Sequence, residues 1–67
     1  MESVYKVIEL IGTSEKSWED AAKIAVNKAS KSLRNLRVAE VKEMDMKIEN
    51  GTLFFRVKMN VSFKYED

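Results

Sequence analysis

Leu53-Phe54-Phe55-Arg56-Val57-Lys58-Met59-Asn60-Val61-Ser62-Phe63-Lys64-Tyr65-Glu66 is the stretch that decides how this chain folds. Leu53, Phe55, Val57, Met59, Val61, Phe63 and Tyr65 alternate strictly with a mostly polar set. Period two places the two sets on opposite faces of a β-strand. The stretch therefore predicts one long strand with a single apolar face. Asn50-Gly51 stands just before it. That dipeptide is the strongest short-range hairpin signal, because both loop residues of a tight hairpin turn need positive φ. Residues 37–49 are then the partner strand.

The turn fixes a register. With Asn50 and Gly51 as the loop, Glu49 faces Thr52, Ile48 faces Leu53, Met46 faces Phe55 and Met44 faces Val57. On the other face Asp45 meets Arg56 and Glu43 meets Lys58, and opposite charges directly across strands are favourable. Farther out, Glu40 and Lys42 fall opposite Val61 and Met59, a mismatch that one bulge or a partner subunit resolves. Strands of about a dozen residues exceed the usual five or six. One short helix cannot cover them, so part of the apolar ladder is expected to be interface, with Phe63 and Tyr65 the better candidates and Phe54 a subunit contact on the polar face.

Upstream, Val4 to Ile11 reads as a strand with apolar residues at both parities, which predicts partial cover on both faces. Gly12-Thr13-Ser14 is expected to end it. Ser17 is the predicted helix cap, with Asp20 reciprocating and Ser14 as a weaker alternative cap. The helix should run to about Leu33, burying a stripe of Trp18, Ala22, Ala25, Ala29, Leu33 and Leu36. Glu19 and Lys23 form a favourable i,i+4 pair, and Lys31 and Arg34 suit the helix C-terminus. The order is strand, helix, strand, strand. The long helical connection lets the first strand lie parallel to a neighbour, while the second connection is an antiparallel hairpin. A three-stranded sheet with one helix on one face is the economical arrangement.

The chain has 67 residues, with no Cys, no His, no Pro and two glycines. A core of that size is marginal, and the usual staples, disulfides and structural metals held by Cys or His, are excluded. Partner subunits remain. Lys plus Arg number 12 against 11 for Asp plus Glu, and the signs are interspersed. No basic stripe points to nucleic acid, and no apolar run reaches the length of a membrane span. The N-terminal residues lack the pattern of a signal peptide, so a cytoplasmic location is expected. Without His, Cys, a glycine-rich phosphate loop or an acyl-transfer arrangement, no enzyme class is indicated. Glu40, Glu43, Asp45 and Glu49 gather carboxylates on one strand. These read either as cross-strand salt bridges or as an oxygen-ligand cation site completed by symmetry.

Val4-Tyr5-Lys6-Val7-Ile8-Glu9-Leu10-Ile11-Gly12-Thr13-Ser14, then Ser17-Trp18-Glu19-Asp20-Ala21-Ala22, then Leu36-Arg37-Val38-Ala39-Glu40-Val41, and finally Val57-Lys58-Met59-Asn60-Val61-Ser62-Phe63-Lys64 resemble the dodecin family over essentially the whole chain. The resemblance implies one α+β domain over 1–67. It implies a β-α-β-β protomer whose three-stranded antiparallel-type sheet wraps around one helix. It also implies a hollow homo-dodecamer that binds and stores a small ligand without catalysis. Members typically take up flavins (riboflavin, FMN or FAD), stacked in pairs near two-fold axes, and some bind coenzyme A or metal ions.

In flavin-binding members a tryptophan stacks on the isoalloxazine ring, and the matching residue here is Val38. A ring-bonding glutamine of those members corresponds to Arg56. Asp45 and Lys64 complete the ligand-binding positions that the resemblance implies. Valine offers no ring face, where aromatic stacking is worth roughly 1–3 kcal/mol by analogy with nucleobases. Arginine carries five donors and no acceptor, so it cannot reproduce two-way amide pairing. The sequence is similar to the members that lack the stacking tryptophan, and Glu43 and Asp45 are the candidates for calcium or magnesium. The expected function is sequestration of a flavin-type ligand. The alternative is a flavin-free structural or cation-binding dodecamer. The first predicts that Val38 and Arg56 of neighbouring subunits line a common cleft. The second predicts a polar or closed cleft beside grouped carboxylates.

Overall fold

The structure is a computed structural model that describes residues 3–65. Its elements are β1 (Tyr5–Ser14), α1 (Trp18–Ala29), β2 (Leu36–Glu49) and β3 (Thr52–Lys64). The alternating stretch is the central strand, in the order β1-β3-β2. Both neighbours run antiparallel to it. The option of a parallel first strand is therefore corrected: α1 carries the chain across the sheet, so β1 and β2 flank β3 on opposite sides.

The hairpin register is the one the turn dictates, from Glu49↔Thr52 through Met44↔Val57, with Asp45↔Arg56 and Glu43↔Lys58 on the other face. Asn50 and Gly51 have φ of 49° and 79°, as a tight hairpin turn requires. The mismatch farther out is resolved by a bulge between Val41 and Glu43. Lys42 drops out of the ladder, so Val41 rather than Lys42 opposes Met59. A second shift lies between Leu36 and Val38.

β1 does not stop at Ile11. It continues through Gly12-Thr13-Ser14, pairing Gly12 with Val57 and Ser14 with Phe55. Here glycine marks the place where the helix crosses the sheet. A Cβ on Gly12 would stand 2.9 Å from the Ala21 carbonyl carbon and 3.0 Å from the Ala25 Cβ. Proximity to another backbone is one of the uses of glycine inside a strand.

Ser17 caps α1 from an extended backbone, its Oγ accepting from the Asp20 N–H at 2.9 Å. The Asp20 carboxylate does not close the expected reciprocal cap. It accepts the Ser14 hydroxyl at 2.6 Å and so ties the end of β1 to the first helical turn. Ser17→Ala is expected to lower stability by about 1 kcal/mol, read as the shift in denaturation midpoint at fixed protein concentration.

The helix ends at Ala29, earlier than the expected Leu33. Ser30 Oγ donates to the Asn27 carbonyl, and residues 30–33 continue as hydrogen-bonded turns. Serine hydroxyls compete in this way for helical backbone groups. Asn35, at φ 59°, then redirects the chain into β2. Lys28, not Lys31 or Arg34, is the base of the last turn.

The buried centre is Ala21 and Ala25 against Val57, Met59 and Val61, with Ile8, Leu10, Trp18, Ala22, Val26 and Leu36 around it. Trp18, Ala22, Ala25 and Leu36 of the expected stripe face this centre, and Ala21, outside that stripe, is its most buried helical residue. Twelve helical residues span about 18 Å, whereas the principal extent of the molecule is 51 Å. Met44, Met46, Ile48 and Leu53 lie on the helix side of the sheet and stay exposed. Among the described residues no helix is long and apolar enough to cross a membrane.

Candidate functional site

Period two, reset by the bulge at Lys42, gives every ligand candidate the same orientation. Val38, Glu43 and Asp45 on β2, and Arg56 and Lys64 on β3, stand on the face turned away from α1. β1 adds Val7, Glu9 and Ile11 to that face, because it pairs Val7 with Ser62, Glu9 with Asn60 and Ile11 with Lys58.

Two clusters result. The first lies mid-sheet. Arg56 donates through Nε to Asp45 Oδ1 at 2.7 Å and through Nη2 to Oδ2 at 2.9 Å. This is a two-pronged pair between directly opposed residues, geometry that suits the planar fork. The hydrogen bonds from Arg56 hold the Asp45 carboxyl below the usual carboxylate range, and Asp45 in turn raises the Arg56 guanidinium. Next along the strand, Lys58 lies between Glu43 at 3.5 Å and Glu9 at 3.8 Å. Those contacts are longer than hydrogen bonds, and the two carboxylates stay 69% and 57% exposed, so their oxygens are open to other partners. Ile11, Glu43, Asp45, Arg56 and Lys58 line a hollow of about 160 Å³.

The second cluster lies at the far end. Val7, Ser62 and Val38 form one row across all three strands, with both valines exposed. At the same end, but with Lys6 and Phe63 on the helix side of the sheet, a hollow of about 360 Å³ is lined by Lys6, Arg34, Phe63, Lys64 and Tyr65. Val38 and Arg56 do not meet within one chain. Ser62, opposite Val38, is six positions along β3 from Arg56, which is about 20 Å.

Glu9 escaped the sequence reading because it lies 34 positions from Glu43; only the pairing of β1 with β3 brings both to Lys58. The parity of β1 was the available signal, but it needed the strand order to be used. Trp18 is the other omission. It sits on the helix side, packed edge-on against Phe55 with centroids 5.0 Å apart, and its Nε1 donates to the Asp45 carbonyl at 3.0 Å. Among the described residues of one chain, no three carboxylates come together in a group able to hold a metal ion.

The dodecin family model matches residues 4–66. The calcium dodecin of Mycobacterium tuberculosis is 52% identical over 63 residues, covering 92% of this chain and 89% of that protein. The dodecin of Thermus thermophilus is 43% identical over 68 residues, covering 100% and 99%. The solved structure of the M. tuberculosis protein, described as calcium chelating with a novel calcium-binding site, superposes with a TM-score of 0.88 at 51% identity, over 96% of this chain and 93% of that one.

Proposed function

Because this chain belongs to the dodecin family, we propose that it works as a homo-dodecameric, non-enzymatic shell that sequesters a small ligand, and that the ligand is a hard divalent cation, calcium before magnesium. The observation that carries this reading is the pair of exposed carboxylates, Glu9 and Glu43, held only loosely by Lys58, with Asp45 on the same face; among the described residues, one chain alone does not group the three into a metal site. Calcium takes six to eight oxygen ligands, more than one protomer gathers. Twelve copies related by symmetry bring further oxygens to shared sites. Glu43 is the first donor, since its contact with Lys58 is long. Glu9 stands beside it. Both Asp45 oxygens are engaged by Arg56, so Asp45 ranks after Glu43 and Glu9 as a donor. The apolar residues Met44, Met46, Ile48 and Leu53, left exposed by the short helix, are the surface that neighbouring subunits cover.

The test is calcium competition against an indicator dye, using wild type and Glu43→Gln. Lys58 keeps Glu9 as its partner in the variant, so the sheet is spared. The variant is expected to bind calcium about tenfold more weakly, since affinity follows the number of charged ligands. Equal affinity refutes the role of Glu43.

A second reading rests on the far-end cluster. The low Val7–Ser62–Val38 floor, with Lys64 on the same face of β3, suits a flat ligand with a phosphate arm, such as FMN, FAD or coenzyme A. It ranks below calcium for two reasons. The floor lacks an aromatic ring, and both prongs of Arg56 are occupied by Asp45 about 20 Å away. Flavin would then need Val38 of one subunit and Arg56 of another.

A further inference from the structure

We infer that Trp18 is a positioning residue for the carboxylate cluster: its indole N–H holds the Glu43–Asp45 stretch of β2 in place, so that cation affinity depends on a hydrogen bond made on the opposite side of the sheet. The inference rests on the calcium reading of the same cluster.

β2 needs such a hold. It is an edge strand, exposed from Arg37 to Glu49, with register shifts at both Arg37 and Lys42. A bulge loosens the ladder and re-aims the side chains beside it, and Glu43 immediately follows the Lys42 bulge. The helix covers β1 and β3, and among the described residues the Trp18–Asp45 bond is the one hydrogen bond from α1 to β2. Trp18 is itself well anchored. It is the first residue of α1, preceded by the Ser17 cap and tied through Asp20 to Ser14. Its ring stands edge-on to Phe55, which pairs with Met46 next to Asp45. The result is a continuous rigid path from the helix cap to the backbone of Asp45. The Asp45 carbonyl is held by an indole that reaches it from the helix side, while its carboxylate is engaged by Arg56 on the other face. Ring packing alone would serve stability; the N–H adds a fixed position for β2.

Trp18→Phe separates the two, because it keeps an aromatic ring against Phe55 and deletes the donor. The experiment is calcium calorimetry on assembled wild type and Trp18→Phe, each checked for native mass, with indole emission of the wild type recorded through the same titration. The expected result is an intact variant assembly whose calcium affinity falls at least about threefold, the size of one lost hydrogen bond, together with a saturable change in wild-type emission that follows occupancy. If wild type binds calcium and the variant binds equally well, or if wild-type emission stays flat through saturation, the positioning role is overturned while the calcium reading stands. If the variant does not assemble, the wild-type emission alone decides. If wild type shows no saturable calcium binding, the site reading fails and this inference fails with it.

Discussion

Gly12→Ala is expected to destabilise the protein by about 3 kcal/mol or more, at the upper end of overpacking effects, and to prevent assembly. The added methyl group meets the Ala21 carbonyl and the Ala25 Cβ of α1. Both belong to the helix itself, one to its backbone, so no flexible side chain can swing away. The helix must lift, and lifting it opens the contact between Ala21, Ala25 and the buried Val57, Met59 and Val61. Urea denaturation at fixed protein concentration, with native mass recorded alongside, reads both effects. A folded oligomer with an unchanged midpoint would show that α1 does not lie where Gly12 admits it.

Met59→Ala is expected to lower stability by about 2–5 kcal/mol. Met59 is fully buried at the centre of β3, opposite Leu10 on one side and Val41 on the other. The described core holds only five buried apolar residues, two of them alanines. Little material is available to collapse into the space, and the loss is a large share of the roughly 5–15 kcal/mol that sustains a small fold. Met59→Leu keeps the volume and is expected to cost less than about 1.5 kcal/mol, which makes it the control. A small effect of the alanine substitution would mean that the protomer core lies elsewhere.

These two residues also show where the sequence was legible. Met59 stands in a strict alternation, and alternation plus Asn50-Gly51 was enough to set the strand, the turn and the register from Glu43↔Lys58 to Glu49↔Thr52. The bulge announced itself as charge opposite apolar residues at Lys42. Gly12 was misread as a stop because its local role, chain breaking, is the common one. Its actual role depends on α1 crossing β1, a contact between separate elements that no local pattern encodes. The helix end failed for a related reason, since Ser30 turns its hydroxyl onto the Asn27 carbonyl instead of prolonging the stripe.

The candidate site divides along the same line. Asp45 with Arg56 and Glu43 with Lys58 follow from the hairpin register and were visible as pairs. Glu9 joins them only through the β1–β3 pairing, and the Trp18 bond to Asp45 only through the packing of the helix start. The resemblance to dodecins placed Val38 and Arg56 on one ligand. In a single chain they stand at separate clusters, so any ligand touching both depends on contacts between subunits.

The most direct test of the sequestering role is native mass spectrometry of the ligand-free protein titrated with calcium, with riboflavin added to a parallel sample. The expected result is an assembly of twelve chains of 7.7 kDa that gains calcium to a fixed stoichiometry and gains little or no riboflavin. A monomer, or a dodecamer that fills with riboflavin and ignores calcium, would contradict it.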